Sequence, residues 1–242
     1  MRHSVSFFFL FTIILFGLYF ILLNFEKKNL KEVKYCKDLS YEKLQTIKPK
    51  DFSNFNLKIK FLDERSWRRI NLQDHIEAKK YSEIGYESKY TNRKRSKAEI
   101  TMIKEKITCK LKARIRAHGD MFDHRDGSGL PSLNVSLDNG HIFGITKFIL
   151  FRPHTRGYNN EIFSTAFLSE IGFLSPRTSL VTVEYEGEKK EFLFQERITK
   201  EFLEFNNLKE GPIYDGDERF LFIDHVDNLE FKKHKLVNEN SI

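Results

Sequence analysis

Lys147 and Glu161 frame the first chemical question this sequence poses. Lys147 heads a short apolar strand pattern, and Glu161 falls in the first turns of the helix pattern that follows. A strand lysine fixed by a helix glutamate is one way to hold the α- and β-phosphates of a nucleotide. The plainer reading is a solvated strand end and a carboxylate that suits a helix amino terminus. Phosphoryl transfer also needs a backbone-lined loop over the phosphates, and residues 117–129, with Gly119, Gly127 and Gly129, are the candidate. Such a loop is equally a surface turn. Arg152 and Arg156 flank Pro153-His154-Thr155, where a guanidinium could fork onto phosphate or carboxylate. A structural ion pair to Glu161 or Glu196 is the alternative.

Other chemistries are poorly supported. His118, His124 and His141 are scattered around Asp120, Asp123 and Asp126, without the HxxxH or CxxC spacing of a metal site, so no metal ligand is assigned. Asp215-Gly216-Asp217-Glu218 offers hard oxygen ligands, and Asp224-His225-Val226-Asp227 superficially resembles a metal pair, but a solvated acidic tail accounts for both. No serine elbow or Cys/His nucleophile signature is present.

Charge is local. The chain of 242 residues carries a net +7, yet residues 89–116 hold eleven Lys or Arg against Glu99 and Glu105, a local +9 that leaves the remainder near −2. That stretch could present phosphates, a nucleic-acid backbone or an anionic membrane face, as possible anionic partners, with a basic platform. The plain alternative is a solvated hairpin face whose lysines guard strand edges. Without interleaved aromatics it is not a specific nucleic-acid surface.

Alternation and turn signals place the elements around these residues. Asn56 to Leu62, Ala98 to Met102 and Ile107 to Ile115 have the period of half-buried strands, Ser132 to Leu137 is a strand after a polar glycine-containing loop, and Lys147 to Phe151 is a short apolar strand ended by Pro153. Ser179 to Tyr185 and Lys190 to Arg197 form a hairpin through Glu186-Gly187-Glu188. Residues 63–84 read as a helix, and Gly157 to Ile171 as a clearer one, stopped by Gly172.

Before these elements, His3 to Phe25 contain no Asp, Glu, Lys or Arg, and an apolar run of that length predicts an uncleaved membrane anchor at 1–25 that meets the bilayer through residues 5–25. Lys27, Lys28, Lys31, Lys34 and Lys37 against Arg2 favour a cytoplasmic carboxy-terminal domain of a single-pass protein. A linker at 26–53, a domain at 54–222 and a polar tail at 223–242 complete the expected organisation. Cys36 and Cys109, the only cysteines, lack metal-site spacing and read as two unrelated thiols with no disulfide.

The motifs LKARIRAHGD (111–120), FDH (122–124), PSLNVSLD (131–138), IFGITKFILFRPHTRGYNNEI (142–162), EIGFLSPRTSLVTVEYEGE (170–188), FLFQERI (192–198) and EGPIYDGDE (210–218) occur in this order. Together they resemble the CotH family, the spore-coat protein kinases and their bacterial relatives. The resemblance implies an α+β, kinase-like small lobe, an antiparallel sheet packed on one long helix, cut short before the catalytic aspartates. It implies ATP and Mg2+ as cofactors and Ser or Thr of a surface or envelope protein as substrate. The residues implied at the nucleotide are Gly119, Lys147, Arg152, Arg156, Glu161 and Glu196, the last beside a hinge at Gln195-Glu196-Arg197.

Overall fold

The computed structural model describes residues 16–28, 33–37, 47, 52–83, 94–119, 122–125, 130–215 and 235–236. Its centre is a closed barrel of seven strands: β1 (Asn56–Phe61), β2 (Ser96–Lys104), β3 (Ile107–Ala117), β4 (Leu133–Leu137), β5 (Lys147–Phe151), β6 (Thr178–Tyr185) and β7 (Glu188–Glu196). Around the barrel the order is β1-β2-β3-β4-β5-β7-β6. Neighbours are antiparallel except where β6 closes on β1 in parallel, with Asn56 opposite Thr182 and Ile59 opposite Tyr185.

Period-2 alternation makes each strand one-sided. In β3, Ile107, Cys109, Leu111, Ala113 and Ile115 are buried, while Thr108, Lys110, Lys112 and Arg114 face out. The inward faces fill the barrel, as expected for an interior of this strand number. Phe148 stacks on Phe194 at 4.3 Å, and Phe55 meets Phe143 and Phe194 edge to face at 5.2 and 5.4 Å. Helix α1 (Glu64–Glu83) buries Trp67, Ile70, Asp74 and Ala78, and Trp67 stacks on Phe61 at 4.1 Å. Two further helices, α2 (Asn160–Glu170) and α3 (Lys200–Phe205), lie outside the barrel wall.

The expected kinase-like small lobe, a sheet packed on one long helix, is thus corrected. One-sided alternation fits either an open sheet under a helix or a closed barrel, and here the pairing of β1 with β6 removes the open edges. The helix expected to carry the sheet, α2, buries only Thr165. Its Phe163 and Phe167, with Ile171, Phe173 and Leu174 beyond it, stay exposed.

The membrane anchor is corrected as well. Residues 16–28 are helical, but a span needs about 20 consecutive apolar residues and this stretch ends in Glu26-Lys27-Lys28. Among the described residues no helix is long and apolar enough to cross a membrane, so neither the expected anchor nor the single-pass location is supported. The rest of the expected span, 1–15, lies outside the described residues, as do most of the linker at 26–53 and of the tail at 223–242.

Cys36 and Cys109, expected as free thiols, form a disulfide with Cα atoms 6.2 Å apart. It ties the single turn at Val33–Lys37 to the inner face of β3, and both cysteines are buried. The Cys36 carbonyl also accepts the His141 N–H at 2.9 Å. Gly140, at φ +66°, must be glycine, because a Cβ there would collide with that carbonyl oxygen and with Leu111. Sequence distance hid the pairing, since 73 residues separate the two cysteines.

Candidate functional site

The residues expected around a nucleotide fall into three places. The first lies where β7 leaves the barrel. Glu196 points inward, is buried, and binds Arg177 through both oxygens, Arg177 Nε to Oε2 at 2.8 Å and Nη2 to Oε1 at 2.7 Å. Arg177 Nη1 donates to the Phe143 carbonyl at 2.7 Å, and its guanidinium lies 3.8 Å from the Phe205 ring centre. Every charge here is answered, so Glu196 clamps the barrel to the 173–177 segment and leaves little for a ligand to take.

The second place is the end of β5 that meets the 3-10 turn Pro153–Arg156. Ser132 Oγ accepts the Arg152 N–H at 3.0 Å and lies 2.9 Å from His124 Nδ1. A serine against an imidazole is the geometry of an activated nucleophile. Ser132 is fully buried, however, and its contact to Nδ1 serves to lock the loop. Gly119, at φ +93°, admits the His124 ring, which a Cβ would strike. The space over Gly119 therefore belongs to His124, where a phosphate loop was expected. Arg156 lies 4.2 Å from the centre of the Phe151 ring. Burial pushes the His118 imidazole down to about 3, with His124, Arg116, Arg156 and Arg197 adding to the effect. His118 is thus neutral at ordinary pH. Among the described residues no group of His, Cys, Asp or Glu could hold a metal ion.

The third place is the outer wall, and strand register builds it. Lys97 of β2 opposes Arg114 of β3, Arg114 opposes Ser136 of β4, and Ser136 opposes Lys147 of β5. The Lys147 carbonyl accepts the Arg197 N–H at 3.0 Å, which brings Arg197 to the end of that row. A parallel row runs Arg116, Asn134, Ile149, Gln195. Further along β3 stand Lys110 and Lys112, opposite Thr101 and Glu99, with Lys58 and Lys60 of β1 next in line. Strands about 4.8 Å apart thus gather on one surface the basic residues that the sequence distributes over five segments.

Little acid offsets them. Glu184 binds Lys58 at 2.6 Å and Asp138 binds Arg114 at 2.6 Å, both pairs partly exposed and so weak. Arg95, just before β2, is half-buried, and its Nη1 is buried with no hydrogen-bond partner among the described residues. Burial, then Arg197 and Arg114, lower its pKa, with Asp138 opposing them. Asn134 Oδ1, on the same wall, is also buried without a partner.

Lys147 and Glu161 do not form the expected pair. Glu161 Oε1 accepts the Gln195 Nε2 hydrogen at 2.6 Å, joining α2 to β7. Of the expected site residues, Gly119, Arg152 and Arg156 share the second place and Glu196 belongs to the first. Lys147 and Glu161 share the outer wall. Arg95 and Arg197 were missed as site residues; the basic run contained Arg95, but only register shows its neighbours.

No protein-family model matches the chain, and no curated protein is significantly similar to it.

Proposed function

We propose that the protein is a binding module that takes an anionic partner on the outer wall of its barrel. The observation that carries this reading is the surface of Lys97, Lys110, Lys112, Arg114 and Lys147, contiguous across β2 to β5, among which Asp138 is bound to Arg114 and Glu161 to Gln195. The interior cannot compete as a site because aromatic and aliphatic side chains fill it. A wall of this kind neutralises a charged polymer and releases its counterions, so affinity must fall steeply with salt. Immobilised polyphosphate is a suitable probe. The protein should be retained at low ionic strength and released as salt rises. Replacing Lys110 and Lys112 by Ala should flatten the plot of log affinity against log salt by about one per lost contact. Salt-insensitive retention, or an unchanged slope in the double variant, would sink the reading.

A second reading rests on the resemblance to CotH kinases, in which ATP and Mg2+ are bound and a protein hydroxyl is phosphorylated. Lys147 supports it, standing on the wall with no ion pair among the described residues. The other expected groups do not gather around it: Glu161 is held by Gln195 and Glu196 by Arg177. In the same assay series, saturable binding of Mg-ATP that Lys147→Ala abolishes would favour this reading over the first.

A further inference from the structure

The wall is not uniform, and Arg95 is where it departs from a solvated basic surface. Exposed lysines such as Lys110 and Lys112 keep their hydration, so their charge costs the fold little. Arg95 has given up part of that hydration. Its Nη1 is closed off from solvent and finds no acceptor among the described residues. A buried donor without a partner, on a charged group, costs of the order of the hydrogen bonds it lacks. The register explains why no acceptor is at hand. Arg95 precedes Ser96, the partner of Ile115, and so stands beside the Arg114 to Arg116 stretch of β3. Arg197 reaches the same area from the head of β5. The acid nearest in effect, Asp138, is already bound to Arg114.

We propose that Arg95, flanked by Arg114 and Arg197, forms an outer-wall site for one tetrahedral oxyanion, a phosphate-type group carried by the anionic partner. The proposal rests on the wall reading and makes it specific. Two features select the chemistry. A guanidinium presents paired N–H groups that match two oxygens of an oxyanion. Asp138, the acid that acts on Arg95, is already bound to Arg114, whereas a phosphate monoester brings a fresh charge of about −1.5 to −2 near neutral pH. A ligand that accepts from the part of the Arg95 guanidinium open to solvent would bring the negative charge that the fold does not place against it.

The test is a titration of the full chain with inorganic phosphate, read as the shift in Tm, with sulfate and acetate in parallel. A ligand that binds only the folded state raises Tm in a saturable, concentration-dependent way. Phosphate should do so for the wild type, and acetate should not. A matching sulfate response would assign the site to tetrahedral oxyanions generally, and a phosphate response alone would assign it to phosphate. Arg95→Ala should fold with an unshifted or higher Tm in the absence of phosphate and should lose the response. Arg95→Lys, which keeps charge but not the paired donors, should recover little of it. Should Arg95→Ala fail to fold, Arg95→Gln serves the same purpose. The proposal is overturned if phosphate does not stabilise the wild type, if acetate stabilises it equally, or if the Arg95 variants respond like the wild type. Polyphosphate retention separates the two failures. Retention without a phosphate response leaves the wall and removes the Arg95 site; a phosphate response lost with Arg95, but without retention, leaves the Arg95 site and removes the wall.

Discussion

Arg177 and Arg95 meet the barrel in opposite ways. Arg177 is largely buried, yet each of its nitrogens has an acceptor: the two Glu196 oxygens and the Phe143 carbonyl. Arg95 is only half-buried, yet its Nη1 has no acceptor among the described residues, and its neighbours in charge are more arginines. Depth therefore does not separate structural charge from binding charge in this molecule. What separates them is whether the fold itself supplies the opposite charge. Where it does, the residue holds elements together; where it does not, the fold carries a cost that an external anion can lift.

The contrast is most severely tested by removing each partner. Arg177→Ala leaves Glu196 buried and unpaired, and should cost about 3–5 kcal/mol in urea-induced unfolding. Arg95→Ala leaves nothing unpaired and should stay within about 0.5 kcal/mol of wild type. Comparable losses in the two variants would erase the distinction. A covalent tie offers a second probe of the compensated interior. Cys109→Ser frees the Val33–Lys37 turn from β3 and should lower stability by about 2–4 kcal/mol, with reductant having the same effect on the wild type. If reductant leaves Tm unchanged, the tie contributes nothing.

A pH-dependent effect comes from His118, a group that burial keeps neutral. Its native pKa is lowered to about 3 by burial, while the unfolded imidazole titrates near the usual 6.5. Between those values the unfolded chain binds the extra proton, so stability falls as pH drops through that window and is fully present above it. One proton limits the slope to about 1.4 kcal/mol per pH unit. His118→Gln should flatten the acid limb of stability against pH, and an unaltered limb would remove His118 as its cause.

Individual strands were legible in advance, but their closure into a barrel was not. Ile107 to Ile115, Lys147 to Phe151 and the hairpin around Gly187 form strands where alternation and turn signals put them. Helix α1 also lies where residues 63–84 suggested, and it buries Trp67, Ile70, Asp74 and Ala78. The site was less legible. Glu196 looks like a candidate ligand by residue type, and only the approach of Arg177 across β6 and β7 turns it into a clamp. Gly119 looks like a phosphate-loop glycine until the His124 ring is seen above it.

By itself, then, the order of residues determined which side of each strand is apolar and that positive charge concentrates in residues 89–116. Both are properties of near neighbours along the chain, and a period of two needs no tertiary contact to be read. Tertiary structure alone decided that the sheet closes, that Cys36 finds Cys109, and that Arg95 comes beside Arg114 and Arg197. Each of these joins segments far apart in sequence, as when Asn56 pairs with Thr182. Their physical cause is long-range strand pairing and burial, which local residue patterns do not encode pair by pair.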